Sequence, residues 1–537
     1  MESFDYIIVG GGTAASVVAC RLSERGHSVC VLEAGPEDSN PYIRIPAGFT
    51  KTLGDERVTW QMSYEASAGT NGRRIPLVQG KTLGGSSAVN GVVYNRGQAG
   101  DFDGWAALGN PGWSYADVLP YFRKSERFLS GGEDAFRGRE GNIPVTTTAW
   151  SNEACETFMR AAHSVGIPAN DDYNGRAQVG IGMCQGAIYK GERWSAARGY
   201  LHPARKKHGV RVLTNATVTR VLTERRRAIG VAYRKGAEGA EIQVLARKEV
   251  IVSAGSINSP KLLQLSGIGP AALLREHGIA VVHELPGVGE NLRDHITPRL
   301  VVRARPGVDS LNHRARGFGL AQEVVRWFLG GKSILGLTAI LVYGFWKSRA
   351  DLPNPDFAIT FTPGSYKLGM LGRLDDAPGL TCGAWQLRPQ SSGYVRIASA
   401  DVRRNPIMQP NFLADEADQR VLVEALKCVR SIMGGEVMRS IVETELLPGA
   451  DVSSDDELLD FARQYGMTGY HPIGTCKMGP SSDPMAVVDE RLRVHGIDGL
   501  RVIDASVMPT IPSANTCASA LMIGEKGADL ILNLSTS

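Results

Sequence analysis

The sequence predicts a mixed α/β fold, α+β overall, in which an α/β domain is interleaved with a second domain built on an antiparallel sheet with helices. Three observations point there. The chain opens on a strand, a glycine turn, a helix, a second strand and an acid within residues 4–35. Segments between 210 and 255 alternate apolar and polar residues, and the last of them runs into small residues. The 537 residues exceed what one core holds, yet no stretch reads as a clean linker. Residues 1–145, 200–300 and 480–537 are therefore assigned to the first domain, and 146–199 and 301–479 to the second.

Phe4 to Val9 is an apolar strand. Gly10-Gly11-Gly12-Thr13-Ala14-Ala15 follows, then a helical stretch to about Gly26, then Ser28 to Leu32 ending in Glu33-Ala34-Gly35. This Rossmann-like order suits a dinucleotide. Gly10 makes the tight turn, and Gly12 has no side chain to block a pyrophosphate. The helix that starts at Thr13 and Ala14 offers free N–H groups and a positive dipole end to phosphates. Ala15 is small enough for close helix–strand packing. Glu33 ends the second strand, beside Ala34, where a carboxylate can accept hydrogen bonds from ribose hydroxyls. A plain α/β turn is the alternative, and the flanks and the acid spacing weigh against it.

Segment 36–80 is loop-rich and holds Trp60 and Tyr64, as a cofactor-covering segment does. Gly84-Gly85-Ser86-Ser87 then presents backbone N–H groups and hydroxyls with little bulk. Aromatics at helix-like spacing in 101–130 (Trp105, Trp113, Tyr115, Tyr121, Phe122) read as packing. Val210-Arg211-Val212-Leu213 and the runs from Ala216 to Gly255 read as strands of one meander, with Ala254 at its end. Ser259-Pro260 starts a helix, with proline in its first turn. Residues 356–361, 393–397 and 409–412 suggest an antiparallel sheet, and 415–434 an amphipathic helix. Toward the end, His471 precedes Pro472, and a strand Leu500 to Ile503 ends in Asp504-Ala505-Ser506. Asn515-Thr516 stands before a last helix, Ser519 to about Asn533, in the position of an N-cap.

Composition excludes several classes. Apolar content of 43%, charged content of 21% and a net charge of +4 without a basic stripe or tail suit a globular protein with no nucleic-acid partner. The eight cysteines form no C-x-x-C pair and the ten histidines no H-x-x-x-H, so neither a disulfide framework nor a metal is expected. The first strand begins too early for a signal peptide, which suggests a cytoplasmic protein. The apolar stretch 334–346, bounded by Lys332 and Lys347, is short of the ~18–20 residues that span a bilayer. It reads as core or subunit interface. With Trp327 and Phe328 upstream, peripheral contact with an inner membrane is the alternative.

Four segments together resemble one family. Gly80-Lys81-Thr82-Leu83-Gly84-Gly85-Ser86-Ser87-Ala88-Val89-Asn90, running on to Asp103, looks like its first signature. Gly255 to Gly269 looks like its second. Gly287 to His295 and the His471-Pro472 segment also fit. The sequence resembles the glucose–methanol–choline (GMC) oxidoreductases, which are FAD-dependent alcohol-oxidising enzymes, and among them bacterial alcohol, choline and sorbose dehydrogenases.

The resemblance implies that His471 takes the alcohol proton and that Asn515 hydrogen-bonds the substrate oxygen. It makes the first domain FAD-binding and the second substrate-binding. It places Gly10, Gly12, Thr13, Ala14, Glu33, Ala34, Trp60, Gly85, Ser86, Ala254 and Thr516 around FAD. Asn90, Gly91 and Val93 fall near the flavin ring, Val218 at adenine, and Asp504 and Ala505 near the pyrophosphate. Cys517 replaces a second asparagine found in many relatives. Val89 stands where covalent members carry a histidine, so FAD is expected to be bound non-covalently. His295 and His495 are read as structural.

The chemistry fits. Flavin N5 accepts a hydride, which no side chain can do. Histidine titrates near neutrality and serves as the base. The expected function is oxidation of an alcohol, most simply a primary one, with electrons passing to O2 or a quinone-type acceptor. A polyol, sugar or choline dehydrogenase is the alternative within the family, and a flavoprotein of other chemistry the alternative outside it. Choline members imply aromatics and a carboxylate around an ammonium, and no such set is legible in 301–470. A homodimer is left open.

Overall fold

The computed structural model describes residues 2–236, 239–367 and 372–533. Among these, seven strands form one sheet. Its order is Arg211–Leu213, Val29–Leu32, Glu2–Val9, Glu241–Val252, Arg227–Lys235 and Ala216–Glu224, and Leu500–Val502 also pairs with Glu241–Val252. The half around Glu2–Val9 is parallel, with Ile7 opposite both Cys30 and Val250. These strands are continuous apolar runs because both faces are covered: Ile7, Ile8, Val31 and Ile251 are fully buried. The helices Thr13–Glu24 and Cys517–Leu532 pack against each other over this core, closely enough that a Cβ on Gly524 would come 2.9 Å from Val17 Cβ.

Two local expectations change here. Arg211–Leu213 leaves the meander and pairs in parallel with Val29–Leu32. Alternation identifies a strand but not its neighbour, and Asn215, with φ +52°, turns the chain between the two strands. The helix expected at Ser259 begins at Gly255 and runs to Leu265, so Pro260 lies inside it. Proline has no N–H for the Ser256 carbonyl four residues back. The Thr475 hydroxyl donates to that carbonyl instead, at 2.5 Å.

The second sheet has six antiparallel strands in the order Val442–Leu447, Arg299–Ala304, Gly379–Gln386, Phe357–Thr362, Val342–Trp346 and Gly180–Met183. Its strands alternate strictly. Leu300, Val302, Ile359, Phe361, Leu380 and Cys382 pack in a core with Ala425, Val429 and Ile432 of the helix Glu416–Gly434. Val301, Thr360, Thr362, Thr381 and Gly383 face a cavity. The regions at 393–397 and 409–412, expected in this sheet, lie apart from it: Gly393–Arg396 and Ile407–Gln409 build a separate three-stranded sheet with Glu290–Leu292, and 410–412 follow it outside any strand.

The apolar stretch 334–346 is internal. Leu341, Val342, Tyr343 and Phe345 are fully buried, and Val342–Trp346 is a strand with neighbours on both sides. Core packing therefore accounts for it, and a membrane-facing patch does not. Exposed apolar side chains lie upstream instead, at Phe318, Val325, Phe328 and Leu329. No described helix is long and apolar enough to cross a membrane.

Candidate active site

One cavity of about 780 Å³ runs between the two sheets, from the Gly10–Gly12 turn to His471 and Asn515. Three helices point their N-termini at it, through Gly12, Ala254 and Thr516. No N-cap side chain closes these ends; Asp504 takes the first N–H of the helix Gly255–Leu265, and the first N–H groups of the other two helices stay available for an acceptor in the cavity.

The glycine turn is fixed by its neighbours. Gly10 has φ +99°, and a Cβ there would sit 2.4 Å from the Ser253 carbonyl oxygen. The Gly84 N–H donates to the Gly11 carbonyl at 2.7 Å, which docks the Gly84–Ser87 stretch onto the turn. Glu33 is buried. Its carboxylate accepts from the Gly11 N–H at 2.7 Å and the Gly35 N–H at 2.8 Å. Burial pushes its carboxyl up to about 7 against those two donors. Asp504 at the neighbouring strand end is also satisfied. It accepts from the Gly255 N–H at 2.9 Å, the Ser259 hydroxyl at 2.5 Å and the Ser506 N–H at 2.8 Å.

Midway along the cavity, Asn90 Oδ1 accepts from the Val92 N–H at 3.0 Å and from Arg193 at 2.8 Å. Arg193 is buried and also donates to the carbonyls of Ile43, Pro46 and Ser87. Burial brings its guanidinium down to about 9. It ties the Ser86–Asn90 turn to the loop before it.

The far end holds a chain of hydrogen bonds that fixes the state of His471. His295 Nε2 lies 2.9 Å from the Leu387 carbonyl oxygen, an acceptor only, so Nε2 carries the proton. Burial brings His295 down to about 4, which keeps it neutral and makes its Nδ1 an acceptor. His295 Nδ1 is 3.0 Å from His471 Nδ1, so His471 must donate there. His471 Nε2 is thereby left with its lone pair, which receives the Asn515 Nδ2 donor at 2.9 Å. The Tyr343 hydroxyl donates to Asn515 Oδ1 at 3.0 Å and sets the amide that way round. Burial, and then the disfavour for two charged imidazoles side by side, hold His471 well below the usual histidine range. The arrangement is a neutral imidazole whose basic nitrogen faces a cavity beside an amide donor.

Asp294 holds the backbone beneath. It accepts from the N–H groups of His295 and His471, both at 2.8 Å, from the Tyr64 hydroxyl at 2.8 Å, and from the Thr468 hydroxyl. Burial pushes its carboxyl up to about 6, and these donors pull it back. Tyr470, just before His471, has φ +62°, a left-handed conformation that a bulky residue holds only under constraint.

The GMC oxidoreductase family matches residues 4–297 with its N-terminal part and residues 389–524 with its C-terminal part. The chain belongs to the GMC oxidoreductase family. It is 39% identical over 529 residues to the oxygen-dependent choline dehydrogenase of Brucella ovis, covering 98% of this chain and 95% of the relative. To the protein of the same name in Vibrio vulnificus it is 38% identical over 537 residues, covering 99% and 95%. Among solved structures, pyridoxine 4-oxidase from Mesorbium loti superposes with TM-score 0.88 at 29% identity, over 98% of this chain and 99% of that one. Formate oxidase superposes with TM-score 0.91 at 28% identity, over 100% and 99%. This GMC oxidoreductase is an FAD-dependent enzyme of mixed α/β fold.

The residues present fit FAD. The cavity is long, and the N-termini of the helices Thr13–Glu24 and Cys517–Leu532 would offer donors to a diphosphate and to a ring carbonyl. Gly10, Gly12, Thr13, Ala14, Glu33 and Ala34 line the end at the parallel sheet, with Val218, Ala254, Asp504 and Ala505. Trp60, Gly85, Ser86, Asn90, Gly91 and Val93 line the middle, and His471, Asn515 and Thr516 the far end. All these sequence-predicted positions thus share one cavity, and Cys517 is beside them.

The N-cap reading of Asn515 is corrected: its side chain bonds His471 and Tyr343, and the helix N-cap is Thr516. His295 was read as structural, but it bonds the His471 ring and belongs to the site. Arg193 and Tyr343 carried no signal. His295 had one, because the Asn291–His295 segment was already part of the family resemblance.

Proposed function

We propose that this GMC oxidoreductase oxidises an alcohol to the aldehyde or ketone, with His471 as the base. One observation carries the reading: the hydrogen-bond chain from Leu387 through His295 leaves the His471 Nε2 lone pair facing the cavity. The alcohol hydroxyl replaces the Asn515 Nδ2 donor on that nitrogen and gives it its proton. Asn515 Nδ2 hydrogen-bonds the alcohol oxygen, and Tyr343 fixes the direction of that donor. Bound FAD supplies the acceptor for the hydride that leaves the carbinol carbon. The neutral state of His471 keeps it ready to accept a proton, and its Nδ1–H keeps donating to His295 throughout.

The domain division stated from sequence places the two sheets in separate domains, with the reaction between them. Val89 supports non-covalent FAD, and O2 or a quinone-type carrier receives the electrons. An alcohol panel under anaerobic conditions tests the reading, scored by bleaching of the flavin absorbance. Peroxide and dye reduction are then measured in parallel. Bleaching by at least one alcohol is expected. A purified holoenzyme whose flavin no alcohol reduces would refute the reading.

A further inference from the structure

The substrate end of the cavity has an unusual charge balance. Among its described lining residues the acids are Glu33 and Asp504, both at the opposite end and both engaged by backbone N–H groups. The cations are Arg73, Lys261, Arg299 and Lys367. Arg73 donates to the carbonyls of Arg463 and Gly466, Lys261 to the carbonyl of Val402, and Lys367 pairs with Asp376. Arg299 makes no ion pair and no side-chain hydrogen bond among the described residues.

Its place is set by the sheet. Arg299 begins the strand Arg299–Ala304 and lies directly opposite Gly383, which in turn lies opposite Thr360. Gly383 lets these side chains close over the strand: a Cβ there would meet Thr360 Oγ1 at 2.9 Å, Thr297 Cγ2 at 3.3 Å and Arg299 Cγ at 3.7 Å. Two residues further along the same strand is Trp385, whose ring centroid is 6.4 Å from that of His471. Two residues span ~7 Å along a strand and paired residues ~5 Å across it, so the Arg299 backbone stands roughly 8 Å from that of Trp385.

We infer that the substrate is an alcohol bearing a carboxylate, with the hydroxyl at His471 and the carboxylate on the Arg299 guanidinium. The inference deepens the alcohol-oxidising reading and rests on it. An arginine presents several N–H donors in a fork that matches a carboxylate. Thr297 beside it adds a hydroxyl donor. A quaternary ammonium fits this end poorly. Trp385, Tyr366 and Tyr470 offer aromatic faces, but no acid accompanies them. The Arg299 charge already acts on Tyr366 and Tyr470, opposing the upward push of burial on both phenols.

The test compares 6-hydroxyhexanoate, 1-hexanol and choline as substrates of the holoenzyme. A second arm titrates hexanoate, which has no hydroxyl to oxidise, and follows the flavin absorption spectrum. Wild type should favour 6-hydroxyhexanoate over 1-hexanol and both over choline, and hexanoate should perturb the spectrum saturably. Arg299→Leu should lower kcat/KM for 6-hydroxyhexanoate about 10- to 100-fold, the range for one charge-assisted hydrogen-bonded contact. It should leave 1-hexanol within about twofold and abolish the hexanoate response. Arg299→Lys should keep part of both and serves if the leucine variant does not fold.

An unchanged preference in both variants, or choline as the best substrate, overturns the inference while leaving alcohol oxidation standing. Hexanoate binding that needs Arg299, with no alcohol oxidised, overturns the alcohol reading while the carboxylate site remains.

Discussion

Replacing His295 tests the site most sharply, because His295 touches no reacting atom and acts only through His471. In the folded protein His295 Nδ1 accepts the His471 Nδ1 proton at 3.0 Å, and that bond selects the tautomer with a basic Nε2. His295→Leu removes the acceptor and leaves a buried N–H unpaired, a penalty of about 1–3 kcal/mol. The imidazole can escape it by moving the proton to Nε2, where the Asn515 amide can turn to accept it. At about 1.4 kcal/mol per tenfold, the basic tautomer falls about 5- to 150-fold relative to the other. The rate of flavin reduction by alcohol should fall by that factor, with little change in substrate affinity. His295→Asn puts a carbonyl oxygen near the position of Nδ1 and should restore most of the rate. Single-turnover reduction under anaerobic conditions, with FAD content and thermal melts for each variant, makes the comparison. A leucine variant that is folded, FAD-loaded and within twofold of wild type would refute the tautomer argument. An asparagine variant as slow as the leucine one would do the same.

Three further outcomes follow from the same geometry. His471→Ala should keep FAD and lose about 10²- to 10⁴-fold in turnover, the usual share of a general base; steady-state kinetics beside FAD content decides it. Asn515→Ala should slow alcohol oxidation while leaving the melting temperature nearly unchanged, because Thr516 and not Asn515 holds the N-cap position of the last helix; a melt several degrees lower would contradict this. The pH profile of kcat/KM should stay on its plateau below pH 6.5. Burial and His295 lower the His471 value, so the neutral base persists as pH falls and is lost only at more acid pH. A limb centred at or above pH 6.5 would show that His471 is not held neutral.

The parts of this molecule legible in its sequence are those where one short stretch carries the whole signal. The Gly10–Gly12 turn needs only its own strand and helix, and its glycines are required locally, as the 2.4 Å approach to Ser253 shows. The helix at 416–434 announces itself by its apolar stripe. Pairing is different. Arg211–Leu213 has the alternation of its meander neighbours, yet its partner is Val29–Leu32, and nothing in three residues could say so.

The active site follows the same division. His471 and Asn515 stand in dense motifs and were visible. His295 lies 176 residues from the ring it bonds, so no spacing could connect them, and beside Asp294 it resembled any buried histidine. The same holds for Arg299, whose meaning depends on facing a glycine across one strand and on having no ion pair among the described residues. The mechanism rests on residues that family motifs reveal. Substrate choice rests on the faces that the second sheet turns toward the cavity, and these emerge only when its strands are paired.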